Sequence, residues 1–250
     1  MSKRDLFKKS SNPMFKDSMY TKVLDSELTI VTEKMTVNGA INKTLILMGI
    51  MLTAAVLSFS IPANLYKPLL IGLPITGLIL YIYTARNMEK SSILAPLYAA
   101  IQGVFVGIVT LLYMNLFDGI VFQAITLTIT ILFTMLMLFK SGLIKVTEKF
   151  RAGVTMAVGA VMIFYLVSFG LSLIGINIPL LHSGGLMGIG ISAVIIVIAS
   201  LNLLLDFDNF EKGAQLGAPK YMEWYFAMGL FFTLIWLYIE ILRLLSYLRD

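Results

Sequence analysis

The sequence predicts an all-α polytopic membrane protein, a bundle of seven transmembrane helices, on three observations. Seven apolar runs fill the chain, and six of them contain no Asp, Glu, Lys or Arg. The composition is 58% hydrophobic and 13% charged, far outside the range of soluble domains. The runs also lack the period-two alternation of a barrel strand. Helices are what remains, because a bilayer offers the backbone no hydrogen-bond partners.

Residues 1–34 are polar, hold no apolar core of a cleavable signal, and read as a mobile cytoplasmic tail with a short helix near Tyr20–Lys34. The membrane body is one domain, residues 35–250. Its apolar runs span 44–61, 69–84, 93–116, 119–139, 153–173, 186–205 and 224–247. About 20 residues of helix cross a hydrocarbon layer about 30 Å thick, so most runs suffice. The second is short and is expected to extend through Tyr66 and Arg86. Spans three and four are separated by little more than Phe117 and Asp118, which forces a tight antiparallel hairpin. Pro74 and Pro96 fall inside spans two and three, where proline can kink a helix and free backbone carbonyls. Gly103 and Gly107, and Gly184 and Gly188 followed by Ser192, form small-residue faces that let membrane helices approach closely.

Lys and Arg near span ends set orientation. Of the nineteen, sixteen fall on one side: those of residues 1–43, then Arg86, Lys90, Lys140, Lys145, Lys149, Arg151, Lys212 and Lys220. Only Lys67, Arg243 and Arg249 fall on the other. The N-terminus is therefore expected in the cytoplasm and the C-terminus outside. The same bias explains the net charge of +5, so a nucleic-acid role has no support.

The absence of cysteine excludes disulfides, thiol catalysis and thiolate metal sites. His182, the one histidine, lies in a short outer loop without acidic company. No zinc-binding histidine pair, serine elbow or phosphate-binding glycine loop occurs. Neither an enzyme nor a resident cofactor is expected.

A charge inside a bilayer usually marks function, so the rare polar groups are the candidates. After span six the chain reads Leu205-Asp206-Phe207-Asp208-Asn209-Phe210-Glu211-Lys212. Acids at a helix C-terminus oppose the helix dipole, and something should offset them. If the helix continues, Asp206 shares a face with Asn202 and Asn209, while Asp208, Glu211 and Lys212 form a solvated face. Asp206 then reads either as a functional carboxylate or as an interfacial cap, and its partner on span seven is expected between Tyr225 and Thr233. The Asp206–Asp208 spacing offers oxygen ligands to a metal but lacks the glycine and terminal Glu of a calcium loop. Glu240 and Arg243 lie at i, i+3 and can pair. Glu240 is sixteen residues past Trp224, about 24 Å along a helix, which puts it nearer the outer face. Gln102, Gln123, Asn115 and Asn42 are expected to hydrogen-bond between helices.

Several strings are familiar: Asn12-Pro13-Met14-Phe15, MTVNGAINKTLIL (35–47), LAPLYAAIQGVFVG (94–107) and LDFDNFEKGAQLGAPKYMEWYFAMGLFFTLIWLYIEILRLL (205–245). They resemble the Bax inhibitor-1 family, in particular its bacterial YccA-like branch. The resemblance implies a seven-helix fold with the last helix in the middle, in the bacterial cytoplasmic (inner) membrane. It implies pH-sensitive calcium leak or, as the alternative, a non-conducting modulator of the membrane protease FtsH. In the leak members an acid ending helix six shares a proton with an acid in helix seven, and an arginine ending helix two latches the closed state. Asp206 matches the first acid and Arg86 falls at, or beside, the arginine. Anchoring on Ile241-Leu242-Arg243 puts Thr233 at the second acid, with Glu240 two turns further along the same face. A glutamate common in helix three is here Gln102. The resemblance thus implies one acid without its partner, and a flattened pH response.

On this reading calcium or another cation binds transiently at Asp206, Arg86 pairs with Asp206 in the closed form, and Glu240 is either a paired anchor or a second polar stop. The partners are the lipid bilayer, the cation and, on the alternative, FtsH acting through the tail and helix faces.

Overall fold

The computed structural model describes residues 33–173 and 185–249. It contains seven helices long and apolar enough to cross a membrane. They are α1 (Val37–Ser58), α2 (Tyr66–Arg86), α3 (Ser91–Leu116), α4 (Ile120–Lys140), α5 (Glu148–Leu173), α6 (Leu186–Gln215) and α7 (Met222–Tyr247). Each expected run has its helix, and α2 extends through Tyr66 and Arg86 as expected. The helices run unbroken past Pro74 and Pro96. The sequences Asn12–Phe15 and Tyr20–Thr32, His182 and Gly184 lie outside the described residues; Glu33 and Lys34 are not helical.

The last helix is the axis of the bundle. In its most apolar stretch 83% of α7 is buried, against 11–17% for α1, α2, α4 and α5. It packs against α6, α1, α4 and α3, while α2 leans on α3 and α5 on α6. A helix apolar all round belongs in such a position, and Phe231 and Leu237 are fully buried there.

Lipid tails are as apolar as leucine, so close packing and hydrogen bonds hold membrane helices together. Gly103 and Gly107 supply that closeness. A Cβ on Gly103 would come within 2.5 Å of the Met51 carbonyl oxygen, and one on Gly107 within 2.1 Å of Ser58 Oγ. The small-residue face of α3 is therefore a seat for the backbone of α1. Gly188 and Ser192 are buried as well.

Specific bonds close the two ends of the bundle. At one end Thr36 caps α1, accepting from Gly39 N–H at 2.9 Å. Its own N–H donates to Glu223 Oε1 at 3.0 Å, placing a buried carboxylate at the positive end of α1. Met35 N–H donates to the Ala218 carbonyl at 2.8 Å. That carbonyl belongs to the turn that ends α6, where Gly217 has φ +67°, Ala218 N–H reaches the Gly213 carbonyl at 3.0 Å, and Gly217 N–H reaches Ala214 at 3.1 Å. This double bond pattern needs a left-handed residue, which glycine supplies. Exposed Glu33 accepts from Lys220 and holds the Lys220 ammonium above its usual pKa, chiefly through that hydrogen bond. At the opposite end Phe117, Asp118 and Gly119 (φ +71°) make the tight α3–α4 turn. Arg249 secures it, donating to the Asp118 carbonyl at 2.7 Å and to Gln123 Oε1 at 2.9 Å.

Among the other amides, Gln102 is buried against Gly77 of α2, where a Cβ would meet its Nε2 at 2.3 Å. Asn42 and Asn115 are exposed.

Candidate functional site

α6 is 30 residues long and carries on ten residues past its apolar run. Asp206 is thus not at a helix C-terminus, as the apolar pattern suggested; it lies nine residues before Gln215, about 14 Å inside the end of α6. At i, i+4 and i+7, Asn202, Asp206 and Asn209 share one face. All three line a cavity of about 160 Å³ walled by α2, α5, α6 and α7, together with Tyr81, Arg151, Thr155 and Thr233.

Asp206 is nine-tenths buried. The Thr233 hydroxyl donates to its Oδ2 at 2.7 Å, as the expected span-seven partner. Asn202 Nδ2 donates to Thr233 Oγ1 at 2.9 Å and lies 3.4 Å from Asp206 Oδ2. The carboxylate therefore meets neutral donors of α6 and α7. A charge held so in a low dielectric attracts a cation strongly, and carboxylate, amide and hydroxyl oxygens are the ligands a hard cation takes.

Arg151, one turn into α5, is the cation that lines this cavity. It is buried, pairs with Asp208, and donates to Asn209 Oδ1 at 2.9 Å. Lys212 reaches Asp208 from the other side at 2.8 Å. Two expectations change here. Asp208 is not part of a solvated face: its side chain is 13% exposed, between two cations, whereas Glu211 and the 42% exposed side chain of Lys212 remain on the solvent side. Nor does Arg86 pair with Asp206. Arg86 is the last residue of α2 and exposed, at the end of the bundle, whereas Asp206 is several turns inside. Asp206 and Asp208, two residues apart on a helix, face different partners and do not converge on a metal. Among the described residues no three His, Asp or Glu side chains form a metal cage.

Glu240 makes a second polar station, seven residues or about 10 Å beyond Thr233 on α7. It is 1% exposed. Tyr165 of α5 donates to its Oε1, and Arg243 Nη1 lies 3.2 Å from the same oxygen. Arg243 also donates to Tyr165 Oη at 3.0 Å and stacks its guanidinium 5.3 Å from that ring's centre. The expected Glu240–Arg243 pair is present, with a tyrosine completing it. Between the stations the bundle is apolar, with Trp236 and Leu237 of α7 in one cluster with Val158, Val161 and Met162 of α5.

The sequence reading counted Arg151 only as loop charge and passed over Glu223. The available signal for Arg151 was its position two residues before a charge-free run, where a helix would carry it inward toward the unbalanced acids of α6. Glu223 beside Trp224 gave no comparable signal.

No curated protein matches this sequence. The family comparison does match, to Bax inhibitor 1 like, over residues 5–250. With the other spanning helices arranged around α7, that match over nearly the whole chain makes this protein a member of the Bax inhibitor 1 like family.

Proposed function

We propose that the protein permits a slow leak of cations, calcium foremost, across the bacterial cytoplasmic membrane, with its N-terminus inside and its C-terminus outside. One observation carries this reading: a buried carboxylate, Asp206, faces a cavity inside a membrane bundle and is met by neutral donors. Intramembrane acids are costly and mark ion paths. A cation entering from the Lys- and Arg-rich end meets Arg151 before Asp206. Arg151, held by Asp208 and Asn209, is a barrier whose displacement admits the ion, the role the family resemblance gave to Arg86. The apolar layer around Trp236 and Leu237 keeps the flux small, and Glu240 stands beyond it. The action requires neither catalysis nor a resident cofactor.

Calcium flux into sealed proteoliposomes tests this. Wild-type flux above that of protein-free vesicles, falling with Asp206→Asn, is the expected result. Flux equal to empty vesicles in acidic, neutral and alkaline buffer contradicts it. The competing reading, a non-conducting modulator of FtsH, draws on the thinly covered faces of α2, α4 and α5, which leave helix surface for a membrane partner. Under it, deleting residues 1–34 abolishes protease regulation and Asp206→Asn is silent.

A further inference from the structure

A second cavity, of about 350 Å³, lies away from the polar stations. It opens between α1 and α4, which pack on α7 from either side and leave part of it uncovered. Phe231 and Leu234 of α7 form its floor, and Leu52, Val56, Ile125 and Ile129 on its walls are exposed on the flank of the bundle. From this geometry we infer that the groove binds one acyl chain of a bilayer phospholipid, in the leaflet at the α3–α4 turn end.

The length of the groove suits an acyl chain lying within one leaflet. The lining runs from Met48 of α1 to Phe59, just past its end, and from Val121 to Leu132 on α4. Eleven helical steps are about 16 Å, close to one leaflet, half of a hydrocarbon layer about 30 Å thick. Both walls belong to the halves of α1 and α4 nearest Ser58 and Ile120, which places the groove within one leaflet.

Chemistry supports a lipid tail. Thr110 and Tyr238 hydroxyls satisfy each other at 2.9 Å, and Thr128 bonds its own helix at the Ala124 carbonyl, 2.7 Å. The lining thus offers an occupant no free hydroxyl. It includes no Lys, Arg or His, so it has nothing to hold the carboxylate of a free fatty acid. The groove also opens sideways to the membrane, where phospholipid tails are at hand. This assignment is independent of the leak reading.

The test is photolabelling of the full chain in nanodiscs containing phosphatidylethanolamine with a diazirine in one acyl chain, mapped by mass spectrometry. Label concentrated on the α1 and α4 walls, and reduced several-fold by Thr128→Phe while labelling at Ile163 on α5 is unchanged, is the expected result. If Thr128→Phe does not fold, Ile129→Trp at the rim serves the same purpose. Uniform labelling of all exposed helix faces, insensitive to both variants, overturns the inference. So does labelling by a diazirine fatty acid but not by the phospholipid, or walls left unlabelled because a second copy or a partner covers them.

Discussion

Asp206 on α6 and Glu240 on α7 are both carboxylates buried in a membrane bundle, and Glu240 stands two turns along α7 from Thr233, the partner of Asp206. Their surroundings differ in kind. Glu240 is met by a cation and a phenol, Arg243 and Tyr165, in a filled site. Asp206 is met by a hydroxyl and an amide and faces open volume. A buried charge with its counterion in place is satisfied and has little left to offer an ion. One with neutral donors and space beside it retains its attraction for a cation. Under the proposed leak, the contrast gives Glu240 a structural part and leaves passage to Asp206.

The largest effect should come from breaking the satisfied site. Glu240→Ala leaves Arg243 and Tyr165 without their acceptor, and thermal unfolding in detergent should show a loss of about 3 kcal/mol, the low end for a broken buried pair because the arginine side chain is 24% exposed. Asp206→Asn, by contrast, keeps an acceptor for Thr233. Stability should barely move, while calcium flux falls about tenfold, equivalent to about 1.4 kcal/mol of lost cation attraction. Arg151→Gln should raise flux several-fold by removing the cation at the cavity, and a fall would exclude its part as a barrier. Thr233→Asp sharpens the comparison differently. Two carboxylates in contact share a proton and titrate as a pair, so its flux should switch with pH more steeply than wild type; a steep switch already in wild type would show that Asp206 alone suffices.

The smallest effect belongs to the exposed end of the bundle. The Lys220–Glu33 pair raises the Lys220 pKa above its ordinary 10.5. Its contribution is complete below that value and is lost as pH climbs through the raised one. Glu33→Gln should therefore lower thermal stability slightly in neutral buffer, and its difference from wild type should vanish in strongly alkaline buffer.

The seven helices were legible because each apolar run is a span in itself, and a lipid solvent imposes that pattern locally. A close helix contact at Gly103 and Gly107 was legible from their spacing, but that α1 is the helix seated there was not. Helix rise alone put the Asp206 partner between Tyr225 and Thr233, and the family resemblance narrowed it to Thr233. Which cation faces Asp206 was not legible. Arg86 and Arg151 both stand at span ends rich in basic residues, and composition does not distinguish a side chain ending a helix in solvent from one a turn inside. Only the packing of α5 on α6 turns Arg151 inward. Asp208 was misjudged for the same reason: its neighbours on α6 were visible, its partner on α5 was not. The apolar groove was also out of reach, since it is a gap between helices distant in sequence.

The most direct measurement is calcium flux into proteoliposomes of wild type, Asp206→Asn and Glu240→Gln side by side, at matched protein content. Flux that falls with Asp206→Asn and stays at the wild-type level with Glu240→Gln is the predicted result. Equal loss in both variants, or no dependence on Asp206, would contradict the division between a passage carboxylate and a structural one.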